Sequence, residues 1–233
     1  MQSLMRESKV QRLKPWQVGE SIRQSIFQGV YQPGDPLPEL HLAEQYGVSQ
    51  ATIREALAGL AHAGLLRRFP NKGSFVTALS PKEVGELVRL RIALEQMAAA
   101  DAAARASEED LAKLGESIAE MKAAAGAGDY FRSGQADLQF HRSLWRLSGD
   151  GTLCRILDQV TVPLFAFVSL RRSQRRETLG NLVGEHEELL RAVASGDPQA
   201  ARDAVRLHIE RAYAPVMNAL AQADAQAVRT VKA

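Results

Sequence analysis

The chain has almost no cysteine, few aromatic residues and no long apolar run. Its single Cys154 excludes an internal disulfide framework, and we interpret it as a buried, inert thiol. No uninterrupted stretch of about 18 apolar residues occurs, and the N-terminal MQSLMRESKV contains no apolar signal core. We therefore expect a cytoplasmic protein with neither a membrane span nor an export signal.

Abundant alanine and only 6% aromatic residues favour helices over a β-rich fold. Apolar residues make up 45% and charged residues 24%, as in ordinary soluble globular proteins. The net charge of +2 conceals an asymmetry: residues 1–80 hold 9 Lys and Arg against 6 Asp and Glu, whereas residues 81–233 hold 20 against 21. A mildly basic head on a neutral body is typical of a nucleic-acid-binding module joined to another domain.

Residues 1–78 have the pattern of a winged helix-turn-helix. An amphipathic helix over 17–29 is stopped by YQPGDPLP, and two short helical patterns follow at 39–46 and 50–63. The intervening Gly47-Val48-Ser49 supplies a tight turn and a favoured N-cap. The runs LLRRF and SFVTAL, joined by PNKG, then predict a hairpin.

The rest of the chain predicts an antiparallel six-helix bundle over residues 83–223, which makes the whole protein mainly α. A linker is expected at 79–82, where Ser80, Pro81 and Glu83 form a helix-start signal, and a disordered tail at 224–233. The predicted helices are 81–105, 107–125, 130–147, 151–171, 177–195 and 199–223.

The second helix of a helix-turn-helix enters the major groove of DNA with its first residues facing base edges. Gln can pair with adenine and Arg with guanine, and positive charge on the hairpin would lie near phosphates. Alternatively, these are ordinary solvated residues of a surface helix. The candidates are Ser49, Gln50, Thr52 and Arg54 on the helix, and Arg67, Arg68 and Lys72 on the hairpin.

The motif LAEQYGVS, followed by TIREAL and GLL and later by G-x-FV, resembles the DNA-binding domain of the GntR family of bacterial transcription regulators. The resemblance implies DNA contacts by Ser49, Thr52, Arg54 and Gly73. Many members have Arg where Gln50 stands, Pro where Thr52 stands and a basic residue where Leu40 stands. A homodimer on a palindromic double-stranded operator is the expected arrangement.

Asp137 and His141 lie four residues apart in ADLQFHRSLW, which places both side chains on one face of a helix among apolar neighbours. His186 and His208 each lie 11 residues from Asp197, the centre of the SGDP turn. In an antiparallel hairpin such residues lie at the same height, roughly 16 Å from the turn. Taken singly, each histidine is more typical of a surface or a satisfied core position.

Together, one carboxylate and three imidazoles from facing helices predict a divalent transition-metal site, with zinc or nickel favoured. Neutral imidazoles are required for ligation, so metal affinity should weaken as the pH falls through about 6.5.

Residues 81–222 resemble the FCD effector domain of one GntR subfamily, the FadR subfamily. DLQFH, EH and GDPQAARDAVRLH correspond to its metal-ligand elements, and six helices rather than seven resemble its VanR-like branch. This resemblance implies that Asp137, His141, His186 and His208 hold the metal and that a small carboxylate effector binds beside it.

Arginine is the natural partner for an effector carboxylate. Arg91 and Arg89 on the first body helix are the candidates, ahead of a cluster formed by Arg171, Arg172, Arg175 and Arg176. His41 and His62 in the head are interpreted as surface residues.

The sequence thus predicts a metabolite-responsive transcription regulator, a repressor in the commoner case, associated with the nucleoid. Two alternatives stay open. The metal could be purely structural in a DNA-binding protein, or it could activate water in a metal-dependent hydrolase with Glu185 or Glu187 as the base.

Overall fold

A computed structural model describes residues 13–175 and 180–231, and the chain divides after Val76 into two units. The first unit, the head, contains α1 (Pro15–Phe27), α2 (Glu39–Tyr46), α3 (Gln50–His62), β1 (Leu66–Phe69) and β2 (Gly73–Val76). The two strands form an antiparallel hairpin in which Leu66 lies opposite Val76.

The local signals of the head act as the sequence predicts. Gly47 has a φ of 63°, in the left-handed region that glycine tolerates, and closes the tight turn after α2. Ser49 caps α3 because its Oγ accepts a hydrogen bond of 3.2 Å from the amide of Thr52. Ile22, Leu42 and Ile53 from the three helices are fully buried. The predicted winged helix-turn-helix is confirmed.

The second unit, the body, is built from six helices in the described residues. They are α4 (Pro81–Arg105), α5 (Glu108–Gly126), α6 (Tyr130–Leu147), α7 (Gly151–Arg175), α8 (Gly180–Ala194) and α9 (Pro198–Val231). α6 packs against α4, α5 and α7, and α9 packs against α4 and α8. α4 begins with the predicted capping box, in which Ser80 and Glu83 bond reciprocally.

Several boundaries differ from the expectation. Leu79, expected in the linker 79–82, is buried in the core cluster of the body, and α4 already begins at Pro81. α9 continues as helix through 224–231, where a tail was expected; this stretch contains no helix-breaking Gly or Pro, and half of its residues are the good helix formers Ala, Gln and Arg. α7 extends past 171 to Arg175, so Arg171 and Arg172 lie on a helix, whereas Arg176 lies outside the described residues.

α7 differs from the expectation that the chain contains no segment able to span a membrane. Its segment Gly151–Ser173 is long and apolar enough to do so by length and composition, with a mean hydropathy of 1.5. Half of that segment is buried inside the body, as in the core helix of a soluble protein, so it is weak evidence for a membrane span. Cys154, on the same helix, is partly exposed rather than buried.

Candidate functional site

Three helices of the body bring four potential metal ligands together, which we call the histidine cluster: Asp137 and His141 of α6, His186 of α8 and His208 of α9. All four are buried, and one ligand atom from each lies within 4.8 Å of all the others. The rings of His186 and His208 lie 4.5 Å apart, as the hairpin of α8 and α9 predicts.

The distances within the histidine cluster suit a single transition ion. His186 Nε2 lies 2.9 Å from Asp137 Oδ1, and His141 Nε2 lies 3.2 Å from His208 Nε2 and 3.4 Å from Asp137 Oδ1. Neighbouring nitrogen and oxygen ligands of one ion lie about 3.0–3.4 Å apart, because each lies about 2.1 Å from the ion. The residues present therefore fit a bound divalent metal.

An ion pair that the sequence analysis missed supports the histidine cluster from α4. Glu95 Oε2 lies 2.8 Å from His141 Nδ1, and Glu95 Oε1 accepts from Arg91 Nε at 2.5 Å. Arg91 also donates to the Tyr213 hydroxyl at 2.9 Å and places Nη2 3.0 Å from His141 Nε2. Histidine ligands commonly donate their second ring N–H to a carboxylate, which orients the ring. The spacing R-x-x-x-E on one helix was the signal that could have revealed the pairing of Glu95 with Arg91, although not the contact of Glu95 with His141.

His208 has a different environment. Its Nδ1 is buried without a hydrogen-bond partner among the described residues, and the nearest carboxylate oxygen, Glu185 Oε2, is 3.8 Å away. Glu185 is half-buried, and burial raises the pKa of its carboxyl group. Glu187, the other base considered for a hydrolase, is exposed.

The surroundings of the histidine cluster shift the pKa values of its members in different directions. Burial opposes ionisation of Asp137, but the imidazoles of His186 and His141 outweigh it and hold the pKa of this carboxyl well below its usual value. Burial also lowers the pKa of His208, and the neighbouring imidazoles lower it further, so this ring stays neutral. Burial opposes protonation of His141 too, but the Glu95 carboxylate outweighs it and raises the pKa of this ring.

A narrow cavity lies beside the histidine cluster. It contains about 440 Å³ of free space, part of it open to solvent, and its enclosed part has room for little more than one water molecule. Asp137 and His208 reach it from the cluster. The other polar residues that line it are Arg91, Tyr130, Ser133, Ser169, Arg172 and Tyr213, and its apolar wall includes Phe165 and Val168.

The arginines that the sequence suggested as effector ligands differ in burial and in whether they line the cavity. Arg91 is fully buried and lines the cavity, whereas Arg89 is exposed and does not line it. Arg172 also lines the cavity, and Arg171 packs over the Phe167 ring instead.

The candidate DNA-facing residues form an accessible surface of the head. Gln50 and Arg54 are exposed on α3, Thr52 is half-buried, and Arg54 donates to Glu39 of α2 at 2.6 Å. Arg67, Arg68, Lys72 and Gly73 are exposed on the hairpin. Ser49 is also exposed, and Leu40, which occupies the basic position of the resembled family, is 59% exposed. His41 and His62 are exposed, in agreement with the interpretation of both as surface residues.

Two known protein families match the two units. Residues 16–76 match the family described as bacterial regulatory proteins, gntR family, and residues 86–211 match the FCD domain. An uncharacterized HTH-type transcriptional regulator, YdhC of Bacillus subtilis, is 29% identical over 88% of this chain and 92% of its own. A probable D-xylose utilization operon transcriptional repressor of Paenarthrobacter nicotinovorans is 31% identical over 85% of this chain and 86% of its own. The solved structure of E. coli McbR/YncC covers 89% of this chain and 97% of its own, with a TM-score of 0.66 and 25% identity.

Proposed function

Because the chain belongs to the GntR family of bacterial transcription regulators and carries an FCD domain, we propose that this DNA-binding regulator senses a small carboxylate through a metal held by Asp137, His141, His186 and His208. The observation that carries the proposal is the opening of this buried cluster into a cavity that also contains the Arg91 guanidinium. Zinc or nickel suits three imidazoles and one carboxylate.

The buried guanidinium of Arg91 lines the cavity and is the reason to expect an anionic ligand there. The lone pair on His141 Nε2 can serve either the Nη2 donor of Arg91 or a metal ion, but not both. When His141 ligates a metal, the Arg91 donor loses its acceptor in a buried position, which costs about 1–3 kcal/mol. A carboxylate that enters the cavity would restore an acceptor to Arg91, beside the residues Asp137 and His208 that would hold the metal. Arg89, which is exposed, has no such role in the proposal.

Metal and effector should therefore bind cooperatively. His141 would give up its contact with Arg91 on holding a metal, and a carboxylate would supply Arg91 with a new acceptor, so each ligand would raise the affinity for the other by the same factor. The narrow cavity has room for little more than one water molecule, so a ligand of several atoms requires lining side chains to move, and an Arg91 released from His141 would be free to do so.

On the DNA side, we propose that α3 reads base edges through Gln50, Thr52 and Arg54, while Ser49 contacts a phosphate near the start of the helix. Arg67, Arg68, Lys72 and the backbone of Gly73 contact DNA from the hairpin. A homodimer presents two such surfaces to a palindromic operator. The relative named as a repressor supports repression, with the effector acting by its differential affinity for two arrangements of the dimer.

The families and relatives are transcription regulators rather than enzymes, so the hydrolase alternative is set aside. Regulators of this kind act in the cytoplasm, where bacterial DNA lies, and we propose association with the nucleoid. A purely structural metal is the remaining alternative, and the cavity beside the histidine cluster favours sensing over it.

Titration of a panel of small carboxylates into the full chain separates sensing from a structural metal. One sample is loaded with Zn²⁺ and a matched sample is stripped with chelator, and operator affinity is measured on a sequence obtained by binding-site selection. We expect at least one acid to bind the loaded sample at least about tenfold more tightly, which is about 1.4 kcal/mol, and to change DNA affinity. Metal retention with no response to any acid would leave the structural role.

A further inference from the structure

The wall of the cavity beside the histidine cluster includes Ser133 of α6, which lies one helical turn before Asp137. Ser133 is only 1% exposed, and its Oγ has no hydrogen-bond partner in the described part of the chain. A buried hydroxyl without a partner is unfavourable. A ligand oxygen in the cavity would satisfy it, because Ser133 lines the cavity wall.

Arg172 of α7 is the second cation of the cavity, and it differs from Arg91 in how its donors are used. All three guanidinium nitrogens of Arg91 meet partners, namely Glu95, Tyr213 and His141. Among the described residues, the guanidinium of Arg172 makes one long hydrogen bond, 3.3 Å to the carbonyl of Ala212. Arg172 is also partly exposed and can turn at little cost, so it has donors to offer an incoming anion.

The close approach of α6 and α7 places a further hydroxyl on the same wall. A Cβ on Gly134 would lie 2.2 Å from Ser169 Oγ, so the helices can approach this closely only because residue 134 has no side chain. Gly134 and Ser169 both line the cavity next to Ser133. A ligand group bound here would meet several hydroxyls and one guanidinium.

We propose that Ser133 and Arg172 form a second anion subsite and that the effector is therefore a short dicarboxylate. One carboxylate occupies the end formed by Arg91 and the histidine cluster, and the other accepts from Arg172 and Ser133. This inference rests on the proposed function, since it requires an acid in the cavity. The narrowness of this space favours a short acid over a long acyl chain, and seating even a short acid requires lining side chains to move.

Two pairs of acids with equal carbon number test the subsite. Succinate and butyrate, and then glutarate and valerate, are titrated by calorimetry into the full chain loaded with Zn²⁺. We expect the dicarboxylate of at least one pair to bind at least tenfold more tightly, which is about 1.4 kcal/mol.

Arg172→Gln should remove most of this preference while leaving the affinity for the monocarboxylate within about twofold. The matched control is Arg171→Gln, because Arg171 is the adjacent arginine on α7, packs over Phe167 and does not line the cavity. This control should keep the preference of the unsubstituted chain.

Ser133→Ala should weaken the dicarboxylate several-fold without changing the monocarboxylate. Ser143→Ala serves as its control, since Ser143 lies on the same helix, outside the cavity lining, where its Oγ accepts from Gln139. Thermal unfolding of each variant verifies that the fold is retained.

The inference is overturned if the acids of both pairs bind equally, or if Arg172→Gln weakens both acids of a pair to the same extent. In either case, metal-dependent binding of the monocarboxylates would leave the proposed function intact. If none of the four acids binds, the subsite is wrong, and the wider carboxylate panel decides separately on the proposed function.

Discussion

Arg91 Nη2 lies 3.0 Å from His141 Nε2, so a guanidinium donor points at the nitrogen that faces the other ligands of the histidine cluster. A buried cation this close to the His141 ring is stable here because Glu95 neutralises it from the same helix. Because Arg91 contacts both a cluster histidine and the cavity, changes at these residues should affect ligand binding, metal binding and the stability of the body.

Removal of one cluster imidazole should abolish stoichiometric metal binding. We expect the full chain, purified without chelator, to carry about one divalent ion, and His208→Gln to carry well under half an equivalent after gel filtration, because three protein ligands hold the ion more weakly than four. Elemental analysis after gel filtration measures this. His62→Gln changes an exposed histidine of the head and should retain the ion. Equal metal content in the two variants would contradict the site.

Loss of the Glu95 charge should destabilise the body strongly. Glu95→Gln leaves the buried Arg91 without its counter-ion, and breaking a buried pair in this way typically costs about 3–5 kcal/mol. Urea unfolding of the metal-free chain gives the free energy of unfolding. The exposed pair of Glu109 and Lys113 provides the control, and Glu109→Gln should cause no measurable change. Similar midpoints for both variants would show that Arg91 finds another partner.

Metal affinity should fall with pH from above 6.5 downward. The carboxylate of Glu95 raises the pKa of His141, so this ring takes up a proton at a higher pH than a free imidazole, and that proton must leave before the ring can ligate. His208 contributes little to this dependence because its pKa lies well below 6.5. Competition with a chromophoric chelator between pH 8 and pH 6 should show a steady loss of affinity. A constant affinity across this range would contradict the assignment of His141 as a ligand.

Gln50→Arg should change base preference at one base pair of each half-site, since Arg favours guanine where Gln favours adenine. Binding-site selection with both proteins measures the change. Gln24→Arg adds the same charge to the exposed face of α1 and should leave the selected motif unaltered. An identical motif for all three proteins would contradict the placement of α3 in the major groove.

The sequence predicted the elements that depend on local signals. Gly47 and Ser49 mark the turn of the head, and Ser80 with Glu83 marks the start of α4, because each acts on backbone groups within a few residues. The approach of His186 and His208 was also predictable, since an antiparallel hairpin brings residues equidistant from its turn together.

Other features required the three-dimensional packing. Glu95 joins the cluster only because α4 packs against α6, and no local pattern states which helices are neighbours. Likewise, Arg91 and Arg89 are two residues apart in a charged stretch, and only packing decides that one is buried and the other exposed. The helical end of α9 was missed because composition alone does not separate a helix from a tail.

The division of the ligands among α6, α8 and α9 has a mechanical consequence. In a chain whose single cysteine forbids any internal covalent bridge, an ion bound there would act as a cross-link that closes a loop of about 70 residues, from 137 to 208. Chelation would then do more than vacate a binding site: it would remove the link between α6 and the hairpin of α8 and α9, and the packing of α9 on α4 and of α8 on α4 and α5 would be left to hold that hairpin in the body.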